Sequence, residues 1–475
     1  MIVPTNFRRV KALLLMMFYL TAAAALYAQT FPRGAVLDPV LYDSLPQKAV
    51  QVSRAYESLP TAASLKQYAP EAGNQGMYGT CTAWSSAYAA RTILESIALN
   101  RWDRQAITSN VFSPNFVYKN LFIFNGQPDD PAGQRGAAIS WALNFMRDKG
   151  PVKMLDREKQ LDFRAIPSSL YANSRAYPIA GYATLFRSDT QRQEDKILMV
   201  KKSLAESKPV VIGMNCPNSF FAAHDVWRPR ESPAGSYGGH AMCVVGYDDA
   251  KYNGAFEVQN SWGDRWGNAG FTWIPYDVFA SFVFEAYGLS ENLGNYQSTV
   301  QFAGFADIEV RGGAGMSVSY RSGYYETLSP YLSGTRFRYL LGNREPAYVY
   351  AFAADDTSAA PTQIFPLAGS NVSPLLDYSE NLVAFPGEFD WIQLDDQVGT
   401  DYLVVLYSKK ELNIAAIRAT FARERGSFPD RVARAVGSGY IPPSQANYEP
   451  NRLAFTAASA NPNAVFGLLL AIQHQ

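Results

Sequence analysis

The chain has 475 residues, 48% of them hydrophobic, enough to bury sizeable cores and to exclude a largely disordered polymer. Its 42 basic and 42 acidic residues balance to a net charge of +0, so the chain lacks the electrostatic footprint of a nucleic-acid binder. Three cysteines exclude a dense disulfide framework, and their odd number leaves at least one free thiol.

Arg8, Arg9 and Lys11 precede an apolar run from Leu13 to Leu26 broken only by Thr21. This layout predicts a secretory signal peptide over residues 1–28, cut after Ala28, and a secreted or periplasmic protein. The run is shorter than the ~20 residues of a spanning helix, and no other segment qualifies, so no stable membrane span is expected after cleavage.

Residues 29–70 carry Pro32, Pro39, Pro46, Pro60 and Pro70, which predict an extended lead-in with at most a short helix over Lys48–Ser58. From Thr80 the pattern changes. Trp84, Ala87, Tyr88, Leu94, Ile97 and Ala98 recur at three- and four-residue steps and predict an amphipathic helix with Thr80 as its N-cap. Further helices are predicted over Ile139–Lys149 and Gln193–Glu206. Strands are predicted over Val210–Met214, Ala241–Tyr247, Ala255–Asn260 and Gly270–Ile274, giving an α+β unit over 71–290. Ser290–Ser298 reads as a linker. Beyond it, over 300–475, Tyr348, Tyr350 and Phe352 alternate with Val349 and Ala351, Tyr402–Tyr407 is a continuous apolar strand, and turn signals recur. This predicts an all-β, sandwich-like domain interrupted by a helix near Asn413–Arg423.

Three cysteines and three histidines allow several thiol–imidazole pairs. Cys81 opens a predicted helix, where unpaired N–H groups favour a thiolate, whereas Cys216 and Cys243 lie in or beside apolar strands and read as inert core thiols. His240 opens a strand after Gly238-Gly239. His224 lies in a loop, and His474 is the penultimate residue.

The run Gln75-Gly76-Met77-Tyr78-Gly79-Thr80-Cys81 resembles the nucleophile segment of papain-like cysteine peptidases. Gly239-His240-Ala241 followed by Val244-Val245-Gly246-Tyr247 is similar to that family's histidine strand, and Asn260-Ser261-Trp262-Gly263 with Trp266-Gly267 to its asparagine motif. The resemblance covers roughly residues 70–290 and implies a helical lobe facing a β-barrel-like lobe. It implies Cys81 as nucleophile, His240 as its base, Asn260 as orienter of the imidazole and Gln75 as oxyanion donor. Gly136 with Ala137, Ala241 and Trp262 are the implied substrate-side residues. The implied reaction is hydrolysis of a protein or peptide substrate, with neither cofactor nor metal.

Two departures stand out. Tyr78 and Thr82 occupy positions that in the family carry Cys and Trp, so that disulfide is absent and Trp84 is expected to supply the aromatic group. No long helical inhibitory prosegment is recognisable. The lead-in is therefore expected to lie along the outside of the domain, packing Val36, Leu37, Val40 and Leu41 there, rather than to block Cys81. Segments of the C-terminal part, such as Glu345–Tyr350 and Gly399–Ser408, resemble an uncharacterised bacterial β-domain appended to exported enzymes, which implies no activity.

Two other readings remain at this level. One is a catalytically inactive binding protein with the same fold. The other is a cell-surface binding protein whose β-domain, through exposed tyrosines, carries the function. The acidic pairs Asp355-Asp356 and Asp395-Asp396 read as turn residues rather than cation ligands.

Overall fold

The structure, a computed structural model, describes residues 31–154, 170–190, 192–292 and 298–475. The expected signal peptide 1–28 and the middle of the expected linker, 293–297, lie outside the described residues.

The first unit is α+β. Its central helix runs through Cys81–Ala83, Trp84–Arg91 and Thr92–Ala98, the middle piece being a π-helix. The predicted amphipathic face is absent, because every residue from Cys81 to Ser96 is buried. Helices Pro114–Phe124 and Ile139–Asp148 pack against it, as does the sheet, so it has no solvent side. Thr80 holds the N-cap position, but its hydroxyl caps nothing. The helix Pro114–Phe124 escapes the periodicity argument because it is nearly apolar all round. It starts where the Ser113 side chain accepts the Phe116 N–H at 2.9 Å.

Facing the helices is an antiparallel sheet in the order Gly181–Thr184, Val283–Ser290, Val210–Cys216, Gly238–Asp248, Ala255–Gln259 and Phe271–Pro275. The short strand Ala62–Ser64 adds on beside Tyr247. The strand carrying His240 is central and buried over most of its length. It reads as an apolar run rather than an alternation, as expected of a strand covered on both faces.

The second unit is an all-β sandwich. One sheet is built on Ala347–Asp355, Gly399–Ser408 and Val465–His474, and the other on Arg336–Asn343, Val300–Val310 and Ala454–Ser459. Val349, Ala351, Leu403 and Val405 fill the space between the sheets. Tyr348, Tyr350 and Phe352 point the other way, into a second cluster roofed by helices Ile414–Phe421 and Phe428–Val436. These three aromatic residues are buried rather than displayed.

The lead-in is neither wholly extended nor peripheral. It holds short helices at Pro39–Ser44 and Arg54–Glu57. The helix expected from Lys48 starts late because Gln47–Val52 is hydrogen-bonded between the two units. Asp355 and Asp395 each accept the N–H two residues on, as turn residues do. Among the described residues no helix is long and apolar enough to cross a membrane, and no cluster of three metal-ligating side chains occurs.

Candidate active site

Cys81 is the first residue of the central helix and is fully buried. The helix start packs against the strand Gly238–Asp248, which brings His240 to the same cleft. Asn260 follows the adjacent strand Ala255–Gln259. His240 Nε2 lies 2.8 Å from Asn260 Oδ1, and the same oxygen accepts the Ser261 N–H at 2.7 Å. That second donor fixes Oδ1 as an acceptor, so Nε2 carries the imidazole proton. Nδ1 is then the unprotonated nitrogen, and it has no hydrogen-bond partner in the described structure. Trp262 stacks on the imidazole with centroids 4.4 Å apart, and Trp266 meets Trp262 edge-on.

Gln75 is buried beside them. Its amide nitrogen donates to Tyr78 O at 2.8 Å and reaches Pro32 O at 3.3 Å, while Ser261 Oγ donates to its carbonyl oxygen at 2.6 Å. Ser261 therefore orients both Asn260 and Gln75. It lies inside the Asn260–Gly263 motif, but its bond to Gln75 joins residues 186 positions apart and leaves no signal in the sequence. Trp84 does not reach the cleft. It packs with Tyr88 and Val111 in a separate cluster, so the expected aromatic substitution is not made.

The cleft is filled by the protein's own lead-in. The Gly34 N–H donates to Cys81 Sγ at 3.3 Å. The Ala35 N–H donates to Gly239 O at 3.0 Å, the Val36 N–H to Ala137 O at 3.0 Å, and the Ala137 N–H to Gly34 O at 2.8 Å. Arg33 donates to Cys216 O, and Phe31 stacks on Trp262 with centroids 4.5 Å apart. Residues 31–37 thus form a strap across Cys81, contrary to the expected outer path. The backbone pairing falls on Ala137. Gly136 lies beside it, where a Cβ would meet Val36 Cγ2 at 3.0 Å. Ala241 is fully buried, and its N–H faces the Cys81 thiol. The sequence does not decide between an outer path and a strap across the cleft, because a contact between Gly34 and Cys81 spans 47 positions and leaves no local pattern.

Burial sets the electrostatics. It pushes the Cys81 thiol up to about 11, although the N–H groups of Ala241, Gly34 and Thr82 pull it down. It pulls His240 down to about 4, opposed by the bond to Asn260 and reinforced by the nearby Arg33 charge. With the strap in place, both groups are neutral at pH 7. The thiolate expected from the helix start is not favoured here, because removal from water outweighs the helix dipole. All three cysteines are free and buried, and burial raises Cys216 and Cys243 as well.

Elsewhere, His474 bridges Asp401 Oδ2 at 3.1 Å and Ser333 Oγ at 3.0 Å. The Ser333 N–H is engaged by Gln475 O, so that hydroxyl lacks its own backbone donor for an oxyanion, and the chain of contacts ties down the last strand. His224 is exposed beside Asp225.

Residues 66–285 match the family model described as papain family cysteine protease. A peptidase C1-like protein of Acanthamoeba polyphaga mimivirus is 30% identical over 220 residues, 44% of this chain and 65% of that protein. Cathepsin L of Sarcophaga peregrina is 24% identical over 228 residues, 47% of this chain and 61% of that one. The chain thus spans less than two thirds of the length of these relatives. Among solved structures, xylellain, a cysteine protease from Xylella fastidiosa, aligns with 20% identity and a TM-score of 0.43, over 55% of this chain and 96% of that one. The family match, the three motifs in their order and the antiparallel sheet that carries two of them make residues 66–285 a papain-like cysteine peptidase domain.

Proposed function

We propose that the chain is an exported cysteine peptidase, held latent by residues 31–37, which hydrolyses peptide bonds through Cys81, His240 and Asn260. The observation that carries the reading is the convergence of Cys81, His240 bonded to Asn260, and the Gln75 amide on one strap-filled cleft. Export rests on the layout of residues 1–28 alone.

In the open cleft Cys81 passes its proton to His240 Nδ1, while Asn260 Oδ1 accepts a hydrogen bond from Nε2–H and fixes the ring. A neutral amide suffices, since thiolate and imidazolium balance each other. The sulfur attacks the substrate carbonyl carbon. The oxyanion that forms takes hydrogen bonds from the Gln75 amide and the Cys81 N–H. The C–N bond then breaks as the imidazolium returns its proton to the leaving amine. Water, deprotonated by His240, cleaves the thioester, releasing a carboxylic acid and restoring the thiol.

The strap is not cut by the site it fills, for a reason of direction. The leaving amine takes its proton from His240, so the C-terminal half of a substrate lies on the Trp262 side and its N-terminal half towards Ala137. The strap runs the other way, with Phe31 at Trp262 and Val36 at Ala137, and its bridge to Ala137 is parallel. What meets Sγ is the Gly34 N–H, a donor, not a carbonyl carbon.

The test is labelling of Cys81 by a peptidyl electrophile, with hydrolysis of a peptide library, after removal of residues 29–39. Stoichiometric labelling at Cys81 with hydrolysis that Cys81→Ala abolishes is the expected result. Unchanged hydrolysis in Cys81→Ala would remove the assignment.

A further inference from the structure

The strand Val210–Cys216 leads into a short 3-10 helix, Asn218–Ala222. Neighbouring residues of such a helix point about 120° apart, so Phe220 and Phe221 face different ways. Phe220 is fully buried, with its ring 5.7 Å from that of Trp262, 5.1 Å from Trp266 and 4.9 Å from Trp227. Its carbonyl accepts the Trp266 Nε1–H at 3.2 Å, and Ser219 Oγ accepts the Trp227 Nε1–H at 3.1 Å. Phe221 is half-buried, and its ring stands 5.5 Å from that of Trp262 at 64°.

Two rings set at that angle make a corner, and Phe31 fills it. Its ring lies parallel to Trp262, at 9° and 4.5 Å, and meets Phe221 edge-on, at 63° and 5.9 Å. These are the stacked and edge-to-face arrangements that aromatic rings favour. An aliphatic side chain could occupy the volume, but it would gain neither the face nor the edge contact. The contacts that seat Phe220 involve no residue of the strap, so the corner outlasts the strap.

The place of the corner along a substrate follows from the strap. Gly34 N–H meets Cys81 Sγ, Pro32 O lies 3.3 Å from the Gln75 amide, and Phe31 is the next residue on the side of the leaving amine. Backbone direction decides whether a segment can be cut, whereas a corner of rings reads only the side chain placed in it. We infer that Phe221 and Trp262 form an aromatic-selective pocket for the first or second substrate residue after the cleaved bond, so that the preferred substrates are polypeptides with Phe, Tyr or Trp there. The inference rests on the proposed peptidase reading for the bond that is cut.

The test uses the chain without residues 29–39. Peptides of one fixed sequence carry Phe, Tyr, Leu or Ala at each position in turn, and mass spectrometry locates the cut. Phe or Tyr in the first or second place after the cut should raise kcat/KM over Ala by at least ~10-fold, with Leu falling well short of Phe. Phe221→Leu, which keeps the apolar volume, should bring Phe and Leu to within about 2–3-fold of each other, and Phe221→Tyr should keep them apart. A ratio taken within one variant cancels any general loss of activity. Calorimetric Kd values for the same peptides on Cys81→Ala read the pocket without the chemistry. Equal kcat/KM for Phe and Ala, or a Phe preference that Phe221→Leu leaves intact, overturns the inference and spares the peptidase reading. Phe-selective binding by Cys81→Ala, with no hydrolysis when Cys81 is present, would sink the peptidase reading and leave the pocket standing. Neither selective binding nor hydrolysis would overturn both.

Discussion

A Cβ on Gly34 would lie 2.0 Å from the carbonyl oxygen of Gly79, inside any permitted contact. The clash is with backbone just before Cys81, so no side-chain rotation relieves it. Gly34→Ala should therefore expel the strap without any cut, and labelling of Cys81 in the uncut chain should rise by roughly 10-fold or more, about 1.4 kcal/mol of lost docking. Gly239, whose Cβ would meet Ala35 O at 2.2 Å, makes the same demand from the other wall. Wild-type labelling in Gly34→Ala would show that the strap does not limit access.

The second expectation concerns the reactivity of the thiol itself. With Cys81 held near 11 and His240 near 4 by burial, the strapped chain has almost no thiolate at pH 7. Its alkylation by a small haloacetamide should be slow from pH 5 to 8 and climb only towards alkaline pH. After strap release the profile should become bell-shaped, its two limbs belonging to the Cys81–His240 pair jointly. Stopped-flow alkylation across that range distinguishes the forms, and matching profiles would refute the neutral pair.

Glu285 gives the folded chain its own pH dependence. Burial raises its carboxyl to about 7, although the Tyr287 hydroxyl and the Asp38 N–H both donate to it. A carboxyl raised in the fold is at home when protonated. Its contribution is fully present below its ordinary range and is lost as pH rises through about 7. The chain should thus lose stability between pH 5 and pH 8, on the order of 2–3 kcal/mol at most, read as a fall in Tm. Glu285→Gln, which keeps the acceptor and drops the charge, should flatten that loss. An unchanged slope in the variant, followed by calorimetry, would exclude Glu285 as its source.

How much of this was legible in advance follows from where the determinants lie. Gln75, Cys81, His240 and Asn260 sit in short motifs whose spacing survives in the sequence, so they could be named before any contact was known. The apolar runs Ala241–Tyr247 and Tyr402–Tyr407 were visible as strands, and they lie within the longer strands Gly238–Asp248 and Gly399–Ser408. The central helix was visible as a helix, but its burial on all sides was not, since one chain does not display its neighbours. The alternation of Tyr348, Tyr350 and Phe352 marked a strand, but such a pattern looks the same whether its outer face meets water or, as here, two helices. Lys48 and Asp377 lie 329 positions apart, and each alone reads as a surface charge.

That pair supports the last expectation. Lys48 of the lead-in and Asp377 of the β-sandwich form an ion pair, both are nearly inaccessible, and Lys208 approaches Asp377 only to 3.7 Å. Lys48→Met keeps the length of the side chain but leaves a buried carboxylate with weaker compensation, a change that costs about 3–5 kcal/mol in comparable pairs. Replacing both partners, as Lys48→Met with Asp377→Leu, removes the stranded charge and should restore most of that loss. Residues 46–48 still keep their backbone bonds to Thr184 and Asn371 in both variants, so the chain should stay folded at low temperature. Urea unfolding monitored by tryptophan fluorescence of the peptidase domain reads the difference. The single variant should unfold at markedly lower urea and the double variant near wild type. A single variant as stable as wild type would mean that the Lys48–Asp377 pair contributes nothing to the junction, which its backbone bonds alone would then hold.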